Sequence, residues 1–250
     1  MTGPVCPRGV FVVGTDTGVG KTLVAAGLAR MMRRRGNRVA VFKPFLSGDA
    51  AAEDAQILAR AAGLAGPGPL QPALLDVIAP FRFRDPVAPG IGARREGCEI
   101  SLGAVVDDAR ALGRVSEVMV VEGAGGVLVP LTHTLRASEC VIDLVVALGL
   151  PVVVVGRTAL GTINHTALTM AALRARGVAV AGIVLSQVDP AHEIPDADLL
   201  DAIHGVAGMR PLCVIPFVSG SEAIRVGTAA RKLDGCGAWD HVEAAIPGAR

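Results

Sequence analysis

The stretch GVFVVGTDTGVGKT, residues 9–22, decides the fold, because an apolar strand leads directly into a glycine-rich loop and a helix. Gly9–Val13 has the β-branched, apolar composition of a buried strand. Lys21–Arg35 has the pattern of a helix, and Gly36 stands where helices commonly end. A strand, a glycine-rich turn and a helix in this order predict one unit of a parallel α/β sheet.

The glycine-rich loop has the composition of a phosphate-binding loop. Its glycines let backbone N–H groups face phosphate oxygens, and the start of the helix adds its positive dipole end. Lys21 is expected to reach the β- and γ-phosphates of a nucleoside triphosphate, and the Thr22 hydroxyl to bind Mg²⁺. The loop is one residue longer than the G-x-x-x-x-G-K-[ST] pattern. The residues expected to bind the nucleotide here are Gly18, Val19, Gly20, Lys21, Thr22 and Leu23.

The rest of the chain predicts a single α/β domain over residues 1–250. Short β-branched runs alternate with helical patterns, which is typical of a mostly parallel sheet with helices on both faces. Residues 65–95 are rich in Pro and Gly and are expected to form a long loop. Residues 219–250 form a weakly patterned tail. The further predicted strands are Val39–Phe42, Val118–Val121, Pro151–Val155, Val180–Leu185 and Leu212–Ile215.

Composition argues against several classes of protein. The net charge of +1 and the 3% aromatic content indicate neither nucleic acid nor a membrane as a partner. No C-x-x-C spacing occurs, so the cysteines predict neither a disulfide framework nor a zinc site. Residues 1–9 lack the pattern of a signal peptide, and a cytoplasmic enzyme is expected. The five cysteines are Cys6, Cys98, Cys140, Cys213 and Cys236.

Polar side chains follow two other predicted strands. Lys43 follows Val39–Phe42, with Ser47 close behind, and Glu122 follows Val118–Val121. Asp54 lies near the start of the predicted helix Glu53–Ala62; taken alone it is more simply explained as a helix N-terminal charge. Because ligands collect at the carboxyl ends of parallel strands, we expect these side chains to converge. Thr22, Asp54 and Glu122 would then supply oxygen ligands for Mg²⁺, beside the small residues Gly123, Ala124 and Gly125.

Two interpretations remain open for Gly161, Thr162, Ile163 and Asn164, which open a predicted helix. The free N–H groups and the Asn164 side chain suit a substrate carboxylate. Alternatively, Thr162 is only an N-cap.

Six blocks, in order along the chain, resemble the dethiobiotin synthetase family. They are GTDTGVGKT at 14–22, KPFLSG at 43–48, EDAQIL at 53–58, VVEGAGG at 120–126, GTINHTALT at 161–169 and IPF at 215–217. The resemblance implies an ATP- and Mg²⁺-dependent ligase of biotin synthesis that carboxylates 7,8-diaminononanoate with CO₂ and closes a cyclic urea. It also implies a homodimer, with Gly161–Asn164 holding the substrate carboxylate across the interface.

The resemblance assigns further roles. Lys21 and Lys43 would stabilise the carbamate and the transferred phosphoryl group, and Thr17 and Ser47 would contact the diamine or carbamate. The nucleobase pocket would take Ser186, Gln187, Pro216, Phe217 and Val218. We also expect Lys43→Ala to abolish turnover with little loss of stability, on the view that Lys43 is a flexible lysine at the mouth of the site.

This sequence departs from the family pattern at three places. Gly18 stands where some members carry glutamate, and residues 87–90 read Val-Ala-Pro-Gly where S-P-H is common. Ser186 replaces an asparagine that would read adenine, which predicts weak discrimination among nucleotides.

Two other functions fit the sequence less well. A MinD-type regulatory ATPase would carry a second lysine where Asp16 stands. An amidotransferase of the same superfamily would need an additional glutaminase domain.

Overall fold

The computed structural model describes residues 8–48, 51–132 and 138–246. Cys6 and most of residues 1–9, the segment considered for a signal peptide, lie outside these ranges. The strands are β1 (Gly9–Gly14), β2 (Val39–Phe42), β3 (Phe45–Ser47), β4 (Phe81–Phe83), β5 (Val118–Gly126), β6 (Val152–Arg157), β7 (Val180–Ser186) and β8 (Cys213–Ile215). The helices are α1 (Lys21–Arg34), α2 (Ala51–Ala62), α3 (Pro72–Ile78), α4 (Pro89–Glu96), α5 (Leu102–Val115), α6 (Val141–Leu148), α7 (Thr162–Ala175), α8 (Ala197–Ala207), α9 (Glu222–Gly235) and α10 (Ala238–Ala244).

Six parallel strands form the main sheet, in the order β2-β5-β1-β6-β7-β8. The phosphate loop follows β1, an interior strand with β5 on one side and β6 on the other. Because all six strands run in the same direction, the loops that follow them meet at one edge of the sheet. The short strands β3 and β4 pair in parallel as a separate ribbon.

The sheet is buried on both faces, as its almost continuous apolar strands predict. Val10 and Val12 of β1 belong to a core formed with α1, α2, α9 and α10, whereas Phe11 and Val13 belong to a second core formed with α5, α6, α7 and α8. This alternation follows from the two-residue period of a strand. The predicted α/β fold class is confirmed.

Residues 65–95 differ from the expected long loop, because they contain α3, β4 and most of α4. Both helices begin at a proline and are only seven or eight residues long, too short for a helical period to stand out. α8, which is eleven residues long, was also not predicted. In the C-terminal segment, α9 and α10 are regular helices, and Trp239 of α10 is fully buried.

None of the helices within the described ranges has the length and apolar character needed to cross a membrane.

Candidate active site

Strand register places Lys43 beside Glu122. Phe42 of β2 pairs with Val121 of β5, so the next residue on each strand stands at the same level. Glu122 in turn pairs with Val12 of β1, two residues before the phosphate loop begins. The predicted convergence at the carboxyl edge of the sheet is therefore a direct consequence of parallel pairing.

Lys43 is the centre of a buried ion cluster. Its Nζ donates to Glu122 Oε1 at 2.6 Å, to Asp54 Oδ2 at 2.5 Å and to Thr22 Oγ1 at 3.2 Å. The Thr22 hydroxyl donates to the same Glu122 oxygen at 2.9 Å. Lys43 is 7% exposed and Glu122 is 1% exposed. The arrangement joins β2, β5, α1 and α2 through one ammonium group.

The description of Lys43 as a flexible lysine at the surface is therefore wrong. Its side chain is enclosed, because α2 covers the end of β2 and brings Asp54 over it. The expected small effect of Lys43→Ala on stability loses its physical basis, since two carboxylates would lose their cation.

The two lysines of the site have opposite electrostatic environments. Burial lowers the pKa of Lys21, and the nearby Glu122 carboxylate offsets this only in part. Burial also acts to lower the pKa of Lys43, but attraction to the carboxylates of Glu122 and Asp54 outweighs it, so the Lys43 pKa is raised. Lys21 Nζ donates to the backbone carbonyl of Asp16 at 2.8 Å and forms no ion pair among the described residues.

The phosphate loop needs its glycines. Gly18 and Gly20 adopt left-handed backbone conformations, with φ of 71° and 93°. A Cβ at Gly20 would lie 2.6 Å from Ser186 Oγ, so only glycine fits there. At Gly18 a Cβ would meet no atom within 4 Å, and the position is constrained by its φ alone.

These residues open onto one cleft of about 720 Å³, within the size range of small-molecule sites. We call it the P-loop cleft. The predicted residues that line it are Thr17, Gly18, Gly20, Lys21, Thr22, Lys43, Ser47, Asp54, Glu122, Gly123, Ala124 and Gly125. Residues that sequence reasoning did not place in the site also line it: Phe45, Leu46, Glu53, Ile57, Pro86, Val87, Ala88, Pro89, Val129, Val188 and Arg225. Of these, Phe45, Leu46, Glu53 and Ile57 lie within the KPFLSG and EDAQIL blocks, and Val87–Pro89 lie where the sequence departs from the S-P-H pattern.

Other predicted residues lie outside the lining of this cleft. Val19 is buried and Leu23 half-buried behind the loop. Ser186 is fully buried under Gly20, and its hydroxyl has no hydrogen-bond partner within the residues that the structure describes. Gly161–Asn164 open α7, where Gly161 rather than Thr162 is the N-cap residue and no side chain caps the helix.

Gln187 organises the loops at the predicted nucleobase pocket. Its Oε1 accepts a hydrogen bond from the Phe217 backbone N–H at 2.9 Å, and its Nε2 donates to the His192 carbonyl. Pro216 and Val218 are half-buried and Phe217 is exposed. Val188, next to Gln187, connects this surface to the P-loop cleft.

Comparison with known proteins assigns the family. A family model described as an AAA domain matches residues 8–225. The ATP-dependent dethiobiotin synthetase of Anaeromyxobacter dehalogenans is 48% identical over 213 residues, which are 84% of this chain and 90% of that protein. The ATP-dependent dethiobiotin synthetase of Bacillus licheniformis is 38% identical over 219 residues, 88% of this chain and 90% of that protein. The chain belongs to the dethiobiotin synthetase family.

Solved structures of more distant proteins share the fold of this dethiobiotin synthetase family member. The cell division ATPase MinD of Pyrococcus furiosus has a TM-score of 0.56 at 17% identity, covering 92% of this chain and 99% of that one. MinD of Pyrococcus horikoshii, complexed with Mg-ADP, has a TM-score of 0.56 at 18% identity, covering 95% and 94%. At this level of identity the likeness shows the fold alone.

The side chains around Glu122 fit a hydrated Mg²⁺, the ion that ATP-dependent chemistry in this family implies. Glu122 Oε2 is buried and has no hydrogen-bond partner among residues 8–48, 51–132 and 138–246, and the Thr22 hydroxyl and the Asp54 carboxylate supply further hard oxygens. Within the described ranges no group of three or more His, Cys, Asp or Glu side chains could hold a metal by itself. Mg²⁺ with a nucleotide needs only one or two carboxylates, because waters and phosphate oxygens complete its shell.

Proposed function

We propose that this chain uses ATP to carboxylate 7,8-diaminononanoate with CO₂ and to close the product into dethiobiotin in the cytoplasm. Membership of the dethiobiotin synthetase family supports the reaction. One structural observation carries it: Lys21 and the Lys43–Asp54–Glu122–Thr22 cluster open onto the same cleft. A reaction between two anions needs such a concentration of positive charge beside a phosphate-binding loop.

The proposed reaction has three steps. One substrate amine attacks CO₂ and loses a proton, which gives a carbamate. A carbamate oxygen attacks the γ-phosphorus of ATP, and the bond to the β-phosphate oxygen breaks to release ADP. The second amine then attacks the carbonyl carbon of the carbamic–phosphoric anhydride, loses a proton and expels phosphate. A five-membered ureido ring results.

Each cluster residue has a proposed task in this sequence. Lys21 binds the β- and γ-phosphates through its ammonium group. Lys43 stabilises the negative charge that the carbamate carries towards the phosphoryl group. Thr17 and Ser47, at the mouth of the P-loop cleft, contact the diamine or carbamate. Preorganised cations of this kind stabilise developing charge without having to reorient during the reaction.

Thr22, Asp54 and Glu122 would hold Mg²⁺, which supplies a divalent charge that neutralises phosphate oxygens. Gly18, Val19, Gly20 and Leu23 would complete the phosphate contacts, with Gly123, Ala124 and Gly125 close to the same phosphates. Gln187, Pro216, Phe217 and Val218 would surround the base. Since Ser186 is enclosed beneath Gly20, we propose that it acts through the loop rather than by direct contact.

We further propose a homodimer in which Gly161–Asn164 of one chain bind the substrate carboxylate in the cleft of the other. The support is that these residues lie outside the lining of the P-loop cleft of their own chain, and that Leu160 and Leu168 expose apolar side chains beside them. Sedimentation measures the assembly. If the dimer forms the site, mixing inactive Asn164→Ala chains with inactive Lys43→Met chains should restore part of the activity.

The reaction itself is tested by mass spectrometry. Protein, diaminononanoate, ¹³C-bicarbonate, Mg²⁺ and ATP should yield a cyclic urea that carries one ¹³C, together with one ADP for each ring. Omitting the diamine should suppress ADP release. ATP hydrolysis that proceeds equally without the diamine, with no labelled urea, would contradict the proposal and favour a regulatory ATPase.

A further inference from the structure

Arg225 is a cation of the P-loop cleft that no sequence motif singles out. It lies on α9, is exposed, and lines the cleft together with Gly20 and Thr22. Its guanidinium has no ion pair or hydrogen bond among the residues that the structure describes. A guanidinium without a protein partner, beside a phosphate-binding loop, is available to a ligand.

Two other arginines hold the first turn of α9 in place. Arg60 on α2 donates from Nε and Nη2 to the two carboxylate oxygens of Glu222, at 3.0 and 2.5 Å. Arg30 on α1 donates to the carbonyl of Ala223 at 2.8 Å. The bidentate pair is only partly exposed, which favours a defined geometry over a mobile surface contact. One turn further on, Arg225 therefore starts from a fixed backbone position.

α9 is also packed tightly on the helix that the phosphate loop opens. A Cβ at Gly27 of α1 would lie 2.8 Å from Leu233 Cδ1 and 3.0 Å from Ala229 Cβ of α9, so any side chain there would force the two helices or their side chains to shift. The distance between the phosphate loop and Arg225 is thus set by a rigid helix pair.

The balance of charge in the cleft favours a phosphate as the partner of Arg225. Of its three lining cations, Lys43 is already paired with two carboxylates, whereas Lys21 and Arg225 have no carboxylate partner in the described part of the chain. A triphosphate needs more positive charge than Lys21 alone provides. A guanidinium presents planar donors that match phosphate oxygens and can bind two of them at once.

We infer that Arg225 is a second phosphate-binding cation of the P-loop cleft, which contacts the triphosphate of the bound nucleotide from α9. This inference rests on the proposed nucleotide site and adds a residue to it.

Competition binding against a fluorescent ATP analogue tests the inference, with ATP and inorganic tripolyphosphate as the competing ligands. Arg225→Gln should weaken both by the same factor, about three- to tenfold for a charged but solvent-exposed contact. Arg225→Lys should recover part of the loss, because it restores the charge. Arg231→Gln is the matched control: Arg231 is exposed on the same helix, donates to Thr228 Oγ1 at 3.0 Å and does not line the cleft.

Four outcomes would overturn the inference. ATP affinity that is unchanged in Arg225→Gln removes Arg225 from the site. A loss for ATP without a loss for tripolyphosphate places its contact on the nucleoside instead of the phosphates. Equal losses in Arg225→Gln and Arg231→Gln reduce the effect to general charge. If the wild-type protein binds neither ligand, the nucleotide site itself is wrong, and the Arg225 inference falls with it. Urea midpoints, expected to be equal for all variants, separate binding from folding.

Discussion

Replacing Lys43 by methionine isolates the role of its charge, because the two side chains have similar length and methionine has no ammonium group. In the wild-type protein the Lys43 ammonium stands 2.5 and 2.6 Å from two carboxylate oxygens. The variant leaves Glu122, which is 1% exposed, and Asp54 facing each other without a cation. We therefore expect a substantial loss of stability in addition to the loss of turnover.

The magnitude follows from the burial of the cluster. At an effective dielectric constant of about 20, each Lys43 contact gains about 6 kcal/mol of Coulomb energy, most of which offsets the cost of taking the charges out of water. Breaking a buried pair by removing one partner usually costs about 3–5 kcal/mol. Because the Asp54 side chain is 37% exposed, we expect the lower end, about 3 kcal/mol. The raised Lys43 pKa determines how this stabilisation depends on pH. The contribution of the Lys43 charge to the free energy of unfolding is complete below pH 10.5, the ordinary lysine pKa, and is lost only as pH rises through the raised pKa of the folded state.

Urea unfolding at neutral pH in EDTA measures this loss. Lys232→Met is the control, because Lys232 is exposed on α9 and its removal should change the free energy of unfolding by less than about 0.5 kcal/mol. Excess Mg²⁺ should restore part of the stability of Lys43→Met, since a divalent cation then replaces the ammonium between the same oxygens. Equal stability of Lys43→Met and Lys232→Met would refute the reasoning that the cluster stabilises the nucleotide-free protein.

Three further predictions concern the P-loop cleft. Lys21→Met should abolish ATP binding but leave the free energy of unfolding equal or up to about 2 kcal/mol higher, because it removes a buried charge that lacks a carboxylate partner; a clear loss of stability in urea would contradict this. Glu122→Gln should weaken the binding of Mn²⁺ in the presence of ATP at least tenfold, measured by electron paramagnetic resonance, whereas Glu53→Gln, on the same cleft, should not; equal effects would argue against Glu122 as a ligand. Competition among ATP, CTP and GTP should reveal weak discrimination, as expected with serine at 186, and a strong preference for ATP would overturn that expectation.

The convergence of Lys43 and Glu122 could be predicted from the sequence because parallel register determines it. Both residues follow short β-branched runs, and the carboxyl ends of such strands meet at one edge. The enclosure of Lys43 could not be predicted, since it depends on how α2 lies across the end of β2, and nothing in the local pattern fixes that angle. Arg225 was missed for a related reason: it carries no motif, and only the packing of α9 on α1 brings it to the cleft.

Ser186 illustrates a different gap between pattern and position. Its place in the chain, at the end of β7, puts it at the carboxyl edge of the sheet, as the sequence predicts. A sequence comparison cannot show, however, that the side chain turns under the phosphate loop, where its Oγ would lie 2.6 Å from a Cβ at Gly20. The sequence pattern likewise predicts a loop where α3 and α4 lie, because two turns of helix offer too few positions to reveal a helical period.

The opposite pKa shifts of Lys21 and Lys43 indicate how the free protein is prepared for its substrates. For Lys21 the folded-state pKa is lowered, so between that value and 10.5 the unfolded chain binds more protons, and folding stability rises with pH. Below this window the full cost of burying the charge is present, and a bound phosphate can relieve it. For Lys43 the pKa is raised by acids that are already in place, so its charge stabilises the free protein. Protein carboxylates therefore compensate the charge of Lys43, whereas the charge of Lys21 is left for the nucleotide phosphates to compensate. Binding energy from the phosphates then arises at Lys21, while the Lys43 cluster keeps the site assembled before any ligand arrives.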